Sequence, residues 1–479
     1  MMKKVISVIL SVLVVSTLFT GCLSSERNDS TVNMTASQDE IYLDRSQEES
    51  VYGVEVPDPQ EEVILEEESS SLEPSSSLEA SSSQETSQAQ ASQTSPSSQS
   101  ASSQPDTPVD ISTNSKQAAP GEVRSVWLSY LTLEPMIKNK SQSTFSSNIA
   151  SAFKKVKEAG YNTVIVHVRP FGDALYPSDY FPWSYLLSGS EGHDPGYDPL
   201  QVMISAAKEQ GLRFEAWINP YRIRTSSKPL CADNPAQDWL DEGSDAVVEY
   251  NGGIYYNPGS KQARELIVSG VKEIVQNYDV DAIHFDDYFY PTTDEAFDRT
   301  TYNNSGTGKS LANWRRENVN ILVRQVYSAI KAIDSSVLFG ISPAGSISNN
   351  YDVQYSDVAT WLSNTGYVDY ICPQIYYGFN NASYPFTATV NEWNNLIKVN
   401  GIDMYVGIAA YKLGAADQWA GDQGKNEWLQ TQDILARMVD TARGFSKVTG
   451  VAMYSYDSLF GVESQQVSDE NENLKDLFK

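Results

Sequence analysis

The chain has 479 residues and a formal net charge of −28 at pH 7, because 62 Asp and Glu residues outnumber 34 Lys and Arg residues. This acidic balance, with no basic stripe, argues against nucleic acid as a partner. The three Cys and three His residues are too few for a disulfide framework or a His-built metal site, so we expect no metal and no cofactor. Whether the acidic loops around residues 233–245 bind a calcium ion is left open.

The first 21 residues have the pattern of a secretory signal peptide. Lys3 and Lys4 precede an apolar run over residues 5–19, and Thr-Gly-Cys follows, ending at Cys22. This ending resembles the lipobox of bacterial lipoproteins, which implies cleavage before Cys22 and lipidation of its thiol. The alternative is an ordinary signal peptide with an incidental cysteine. We predict an extracytoplasmic protein that is attached to the cell membrane through lipid on Cys22, anchored to the bilayer rather than embedded in it.

Residues 22–120 contain no segment with enough apolar residues to fold alone. Acidic clusters at 61–62 and 66–68 precede a stretch, 69–104, that is dominated by Ser, Gln, Ala and Thr. Such a composition predicts a disordered tether. The folded domain is therefore expected over residues 121–479.

From residue 123 onward, apolar strand patterns alternate with amphipathic helix patterns. The predicted strands cover 126–130, 163–169, 214–219, the start of 281–291, 337–342, 370–376, 404–410 and 451–456. The predicted helices cover 145–159, 200–210, 263–278, 313–333, 358–363, 390–399, 427–445 and 474–478. Eight such units predict an α/β fold, a (β/α)8 TIM barrel with long βα loops. The alternative is a doubly wound open sheet, which the lack of a Gly-rich phosphate turn after the first strand disfavours.

The fourth predicted strand carries the clearest functional signal. Ile283 and Phe285 fall on one side of it, whereas His284 and Asp286 fall on the other. In a barrel this alternation places Asp286 on the inner face, at the strand end where active sites of this fold lie. Asp287 follows directly, and two adjacent carboxylates among aromatic residues are costly to bury unless they serve a site. The alternative is a pair that caps the next helix or faces solvent.

The other strand ends add amide and aromatic side chains. Sugar hydroxyls need amide and carboxylate partners, and the C–H faces of sugar rings stack on Trp and Tyr, so this mixture suits a glycan. The loop over residues 171–198 adds further aromatic residues that could wall such a groove or simply pack against the barrel rim. The residues that we expect to bind substrate are Arg169, Trp217, Asn219, Tyr221, His284, Tyr288, Gln374, Tyr376 and Tyr411.

Glycoside cleavage needs two carboxyl groups, one protonated as the acid and one ionised as the nucleophile or base. Asp286 is expected to be the nucleophile or base, and Asp287, Glu215 and Asp173 compete for the role of the acid. Glu215 is predicted to lie deep on its strand, where burial would raise its pKa as an acid requires. The alternative role for Glu215 is that of a structural partner of Arg169.

Five motifs in order resemble the glycosyl-hydrolase-like 10 (GHL10) family of bacterial lipoproteins. The resemblance implies a TIM-barrel glycosidase, and one type of member acts on peptidoglycan glycan strands stripped of their peptides. The residues of these motifs that the resemblance implies would line the site are Asp173, Asn219, Asp286, Asp287 and Gln374. The motifs are VRPFGDALYPSDYFPWS (168–184), AWINPYR (216–222), HFDDYFYP (284–291), GISP (340–343) and CPQIYYGF (372–379).

Together these features predict a membrane-anchored glycoside hydrolase that acts outside the cell on a polysaccharide, with denuded peptidoglycan as the expected substrate. Two alternatives stay open. The chain could be a hydrolase of an exopolysaccharide or capsule, or a non-catalytic lipoprotein that holds wall glycan without cutting it.

Overall fold

The computed structural model describes residues 121–225 and 229–479. The predicted signal peptide, the predicted lipidation site Cys22 and the predicted tether lie outside the described residues, and these expectations stay predictions. Among the described residues, no helix combines the length and the apolar character that crossing a bilayer requires.

Eight parallel strands close into a barrel, which confirms the predicted TIM-barrel fold. The strands of the described residues are β1 (Val123–Leu128), β2 (Thr163–Arg169), β3 (Arg213–Ile218), β4 (Arg222–Arg224), β5 (Val247–Tyr250), β6 (Gly253–Tyr256), β7 (Ala282–Phe285), β8 (Leu338–Ile341), β9 (Tyr370–Ile371), β10 (Asp403–Ala409) and β11 (Val448–Tyr454). The order around the barrel is β1–β11–β10–β9–β8–β7–β3–β2.

Helices follow the strands and cover the outside of the barrel. In chain order they are α1 (Tyr130–Ile137), α2 (Gln142–Glu158), α3 (Tyr185–Ser188), α4 (Pro199–Glu209), α5 (Pro235–Asp241), α6 (Lys261–Asn277), α7 (Arg299–Asn304), α8 (Leu311–Ile333), α9 (Ile347–Asp352), α10 (Val358–Ser363), α11 (Phe386–Leu396), α12 (Gly421–Gly424), α13 (Glu427–Gln430), α14 (Ile434–Ala442), α15 (Tyr456–Phe460) and α16 (Gln465–Leu477). Short 3-10 turns lie at Glu295–Phe297 and Ala410–Lys412.

The barrel strands bury both of their faces, in two separate layers. In β2, the side chains of Val164 and Val166 belong to the large core between strands and helices, whereas Ile165 belongs to a small cluster inside the barrel. This alternation is why a strand of a parallel barrel is apolar on one face and free to carry other residues on the inner face. The inner cluster consists of Val123, Trp127, Ile165, Trp217, Ala282, Tyr370, Cys372, Tyr405 and Ala452.

The strand predicted over 370–376 is shorter in the structure, because β9 ends at Ile371. Pro373 lies in the predicted strand and has no N–H group to donate to a ladder. Gln374 then rejoins the barrel through isolated bridges to Ala344 and Gly407. The interruption turns the next residues towards the mouth of the barrel, where the site lies.

A small antiparallel sheet in the order β4–β6–β5 lies between β3 and β7 in the chain and was not predicted. Asn251 and Gly252 join β5 to β6, and their φ angles are +47° and +80°. An Asn-Gly pair with positive φ at both positions is the favoured two-residue hairpin turn. The sequence therefore contained a signal for this hairpin.

The single helix predicted over 427–445 is wrong. Two helices, α13 and α14, take its place, and Thr431 between them has an extended backbone. The carboxylate of Glu427 on α13 accepts a hydrogen bond from the backbone N–H of Asn380, in the loop after β9. The carboxylate of Glu470 on α16 accepts one from the first turn of α14. Contacts with two different parts of the fold thus interrupt a pattern that reads as one helix.

Candidate active site

Polar side chains with almost no exposure to solvent gather where β2, β3, β7 and β8 end. They are His167, Asn219, His284, Asp286 and Ser342. These residues lie at or directly after the carboxyl ends of the strands, the face of a TIM barrel that carries active sites. Burial of so many polar groups at one mouth is costly and points to a functional site.

Asp286 lies directly after β7, and only 1% of it is exposed to solvent. The indole N–H of Trp217 donates a hydrogen bond to its Oδ2 at 2.8 Å, and the backbone N–H of Tyr288 donates one to its Oδ1 at 3.2 Å. The pKa of Asp286 is raised to about 7, chiefly by burial and next by the charge of Asp287, against the opposing effect of Arg222. A carboxyl with this pKa is partly protonated at neutral pH, so it can either give or take a proton.

Asp287 is held by a different part of the barrel. The side-chain amide of Gln374 donates to its Oδ1 at 3.0 Å, and that of Gln354 donates to its Oδ2 at 3.2 Å. Burial raises the pKa of Asp287, while the two amide donors lower it. Because Gln374 follows β9 whereas the indole donor to Asp286 comes from β3, the two carboxyl groups are fixed independently.

The imidazole of His167 faces Asp286. Its ring stacks on Trp217, with the ring centroids 3.3 Å apart and 17° between the planes. The backbone N–H of Tyr130 donates to Nδ1 at 3.1 Å, so the neutral ring carries its proton on Nε2. Burial first, and then the charge of Arg222, lower the pKa of His167 and keep the ring neutral. Nε2 lies 3.9 Å from Oδ2 of Asp286 and has no hydrogen-bond partner among the described residues, so it can donate to a bound ligand.

Arg222 brings a buried positive charge to the same side of the mouth. Its guanidinium carbon lies 4.6 Å from the ring centroid of Tyr288 and 4.8 Å from that of Phe171. The charge of Arg222 lowers the pKa of both Asp286 and Asp287. It therefore favours the ionised form of each carboxyl and partly offsets the effect of burial.

Aromatic rings line the opposite side of the mouth. Tyr376, Tyr411 and Tyr454 end or follow β9, β10 and β11, which lie across the barrel from β2, β3 and β7. The ring centroid of Tyr376 lies 5.8 Å from that of Tyr411 and 5.9 Å from that of Tyr454. All three rings are partly exposed, which leaves flat apolar surface for the C–H face of a sugar. We call these three residues the aromatic wall.

Glu215 lies inside the barrel, below the mouth. The hydroxyl of Tyr370 donates to its Oε2 at 2.7 Å, and Nη2 of Arg213 lies 3.6 Å from its Oε1. Burial raises the pKa of Glu215, and the charge of Arg213 lowers it. The charged partner of Glu215 is therefore Arg213, and the alternative that Glu215 pairs with Arg169 is wrong.

His284 connects this interior to the mouth. Its Nδ1 lies 2.8 Å from the hydroxyl oxygen of Tyr370, and its Nε2 lies 3.0 Å from Oγ of Ser342. The indole N–H of Trp127 also donates to Nε2 at 3.3 Å, so Nε2 is the acceptor and Nδ1 carries the proton. Burial lowers the pKa of His284 to about 3. Both ring nitrogens thus have partners from the protein, in place of the substrate contact that we expected.

Comparison with known proteins identifies the family. The model of the family described as "Glycosyl hydrolase-like 10" matches residues 122–429. This chain belongs to the glycosyl hydrolase-like 10 family. The matched range contains the carboxyl pair, His167, Arg222 and two of the three residues of the aromatic wall. The resemblance drawn from the sequence motifs is therefore confirmed.

Two bacterial relatives and one solved structure extend this result. Glycosyl hydrolase YngK of Bacillus subtilis is 40% identical over 322 residues, which are 61% of this chain and 61% of YngK, so the match spans less than two thirds of that protein. Glycosyl hydrolase DigH of Escherichia coli K12 is 31% identical over 398 residues, 76% of this chain and 86% of DigH. The PgaB (BpsB) glycoside hydrolase domain from Bordetella bronchiseptica aligns with a TM-score of 0.50 at 13% identity, over 75% of this chain and 99% of that domain. At such low identity this likeness supports the barrel fold alone.

Two residues that we expected to bind substrate in this GHL10 chain lie behind the mouth. The guanidinium of Arg169 donates to the backbone oxygens of Phe171 at 3.1 Å and Pro220 at 3.3 Å. Tyr221 is 1% exposed and packs in the outer core, with its ring centroid 6.2 Å from that of Phe289. Both side chains support the loops around the mouth rather than facing it.

Asp173, a third candidate for the acid, lies under the loop that follows β2. The backbone N–H of Tyr185 donates to its Oδ2 at 3.1 Å. The pKa of Asp173 is raised to about 7, chiefly by burial. Its hydrogen bond thus comes from its own loop, whereas Asp286 and Asp287 also accept hydrogen bonds from side chains of other strands and loops. The role of Asp173 as the acid stays a prediction.

Sequence reasoning missed Arg222 as a residue of the GHL10 site. The signal was the Asn-Pro-Tyr-Arg turn after β3, because Oδ1 of Asn219 accepts a hydrogen bond from the backbone N–H of Arg222 at 3.1 Å and so shapes the turn that presents it. Nδ2 of Asn219 is buried and has no hydrogen-bond partner in the part of the chain that the structure describes. Gln354 and Tyr454 were also not among the residues that we expected to catalyse the reaction or bind substrate.

A metal site was left open for the acidic loops around residues 233–245. Across residues 121–225 and 229–479, no group of three or more His, Cys, Asp or Glu side chains is arranged to hold a metal ion. The expectation that this family member uses no cofactor stays a prediction.

Proposed function

We propose that this chain is a membrane-anchored, extracytoplasmic glycoside hydrolase that cleaves glycan strands, with denuded peptidoglycan as its substrate. The observation that carries the proposal is the pair Asp286 and Asp287 at the barrel mouth, where the pKa of Asp286 is raised to about 7 and an aromatic wall stands opposite. Membership of the glycosyl hydrolase-like 10 family and the names of YngK and DigH as glycosyl hydrolases support this reaction class.

The carboxyl pair supplies the acid and the base that hydrolysis needs. Because the charge of Asp287 raises the pKa of Asp286, the two groups favour a state with one proton between them. Burial raises the pKa of both groups, and we assign the proton to Asp286 because it is the more buried of the two and because two amide donors favour the ionised form of Asp287. This assignment makes Asp286 the acid, which revises our expectation that it would be the nucleophile or base.

In the proposed reaction, Asp286 transfers its proton to the glycosidic oxygen as the bond from that oxygen to the anomeric carbon breaks. The carboxylate of Asp287 stabilises the positive charge that develops on the sugar and takes the proton of the attacking water. One water is consumed and one new reducing end is formed. The Nε2–H of His167 and the Nδ2 of Asn219 are buried donors that could hold hydroxyl or acetamido oxygens of the bound sugar.

The location of the enzyme is proposed from the sequence before residue 121. The lipobox-like ending at Cys22 supports a lipid anchor, and the composition of residues 22–120 supports a flexible link to the barrel. A flexible chain of this length spans on the order of 50–60 Å, enough to place the barrel in the cell wall. Replacing Cys22 by Ser should release the protein from membranes and remove incorporation of labelled palmitate. Persistence of the label in C22S would contradict the anchor.

The substrate is tested by digestion with the purified full-length protein. Denuded glycan strands, strands that keep their peptides, and an amino-sugar exopolysaccharide are incubated in parallel, and the products are analysed by mass spectrometry. We expect oligosaccharides with new reducing ends from the denuded strands. Products from the exopolysaccharide alone would replace the substrate in this proposal, and tight binding of strands without new reducing ends would identify a non-catalytic wall-binding protein instead.

A further inference from the structure

Trp419 is the most exposed large hydrophobic side chain in the described part of the chain. It is 89% exposed, compared with 47% for Leu429, the next in order. Single exposed apolar residues are common on protein surfaces, so exposure alone indicates no function. The position of Trp419 in the fold provides the further evidence.

The turn that carries Trp419 has a firmly held backbone. The carboxylate of Asp417 is buried, and it accepts an ion-paired hydrogen bond from Nζ of Lys412 at 2.8 Å and a hydrogen bond from the backbone N–H of Trp419 at 3.2 Å. The backbone N–H of Asp417 donates to the oxygen of Lys425 at 2.9 Å, and the N–H of Ala420 donates to the oxygen of Asp417 at 3.2 Å. The indole is therefore displayed on a rigid support, which lowers the entropic cost of binding to it.

This turn, which follows β10, is joined to the loop after β9. The backbone N–H of Ala382 donates to the oxygen of Ala420 at 3.0 Å. A Cβ atom on Gly421 would lie 2.8 Å from Cβ of Ala382, so glycine at this position permits the close approach of the two segments. The loop after β9 carries Tyr377 and Tyr384, whose rings stack with centroids 5.0 Å apart and 24° between planes. Tyr384 is itself 36% exposed.

The same two loops begin at the active site. The loop after β9 leads from Gln374, which donates a hydrogen bond to Asp287, through Tyr376 in the aromatic wall to the stacked tyrosines Tyr377 and Tyr384. The segment after β10 begins with Tyr411 in the aromatic wall and continues to Trp419. Aromatic surface thus continues outward from the catalytic mouth along two joined loops.

We propose that Trp419, together with Tyr384 on the loop joined to its turn, forms an outer subsite that stacks on a pyranose ring of the same glycan strand, away from the bond that is cleaved. This inference rests on the proposed function, because the ligand is the polymeric substrate of the catalytic mouth. A flat, rigid and exposed indole matches the C–H face of a sugar ring. The subsite gives the enzyme a preference for long strands over short oligosaccharides.

The test measures binding with the full-length D286N protein, so that cleavage does not interfere. Affinities for long denuded strands and for a tetrasaccharide from the same strands are compared for D286N and D286N/W419A. The ratio of the long-strand affinity to the tetrasaccharide affinity should fall about tenfold with W419A, as expected for the loss of one aromatic stacking contact. The conservative change Trp419→Phe should keep most of the ratio. Leu429→Ala, which removes the other highly exposed apolar side chain, on α13 further along the same segment, should leave it unchanged.

Three outcomes would overturn the proposal. The first is an unchanged ratio in D286N/W419A. The second is an equal loss of affinity for both lengths, which would place Trp419 at the central site. The third is unchanged strand binding together with lost binding to vesicles of anionic phospholipid, which would make the indole a membrane contact. If W419A lowers the affinity ratio in the D286N background but the wild type cleaves no strands, the hydrolase proposal is wrong and the subsite proposal is still supported.

Discussion

The two sides of the barrel mouth differ in solvent exposure and in the chemistry that they can support. On the side of β2, β3 and β7, the side chains of His167, Trp217 and Asp286 are sealed from solvent and fixed by hydrogen bonds and ring stacking. Across the barrel, Tyr376 and Tyr411 are partly exposed and meet edge to face. Proton transfer needs fixed donors in a water-poor setting, whereas sugar binding needs open flat surface. Changes on the first side should therefore alter rate and pH dependence, and changes on the second side should alter affinity.

The largest expected effect comes from Asp286→Asn. The amide cannot donate a proton to the glycosidic oxygen, so release of reducing ends from denuded strands should fall by at least about 10³-fold. Binding of the strands, to which the aromatic wall contributes, should persist. The measurement is a reducing-end assay on purified protein, with circular dichroism to verify folding.

A matched control lies at the other end of the same strand, β7. Asp281 comes just before β7 and accepts a hydrogen bond from the backbone N–H of Phe214 at 2.8 Å, at the opposite end of the barrel from the mouth. Asp281→Asn should therefore keep most of the activity. Full activity in D286N, or equal losses in the two variants, would remove Asp286 from the chemistry.

The second effect is on stability, and its sign follows from the raised pKa of Asp286. The unfolded chain ionises this group near 3.8, whereas the folded protein does so at about 7. The folded state therefore binds the proton more tightly, and the stability that this provides below pH 4 is lost as the pH rises through 7. Because Asn does not ionise, the free energy of unfolding of D286N relative to wild type should be larger at pH 8 than at pH 4 by about 2–4 kcal/mol. Denaturant unfolding at both pH values measures this difference, and a pH-independent difference would contradict the buried, raised carboxyl.

The third effect tests the aromatic wall. Tyr411→Ala removes a partly exposed ring, so KM for denuded strands should rise about tenfold while kcat changes little. The control is Tyr327→Ala, because Tyr327 is also partly exposed but lies on α8, outside the barrel. A fall in kcat with an unchanged KM would show that the two sides of the mouth do not divide their tasks in this way.

The barrel was predictable because its strands carry a local, period-two pattern. The alternation of His284 with Ile283 and Phe285 placed each side chain on its observed face. The same period-two pattern misplaced Arg169, because the pairing of β2 with β3 shifts register between His167 and Arg169. Such an irregularity turns the following side chain to the other face of a strand, and nothing local in the sequence marked it.

The pattern also failed beyond the strand ends. β3 ends at Ile218, so the alternation of strand faces does not extend to Tyr221, and that ring lies in the outer core. The next residue, Arg222, supplies the positive charge of the site, because the turn that Asn219 caps directs it towards the mouth. Loop side chains are placed by tertiary contacts, which explains why the fold was easier to predict than the complete site.

The smallest expected effect separates the acid from the base within the carboxyl pair. The indole N–H of Trp217 lowers the pKa of Asp286, so Trp217→Phe should raise it, by about 0.5–1 pH unit for one lost hydrogen bond. If Asp286 is the acid, its deprotonation sets the alkaline limb of the kcat/KM profile, and that limb should move to higher pH in W217F. If Asp286 is the base, the acidic limb should move instead. Tyr376→Phe, a change in the aromatic wall, should leave both limbs in place, because the carboxyls take their hydrogen bonds from Trp217, Gln374 and other groups rather than from the hydroxyl of Tyr376.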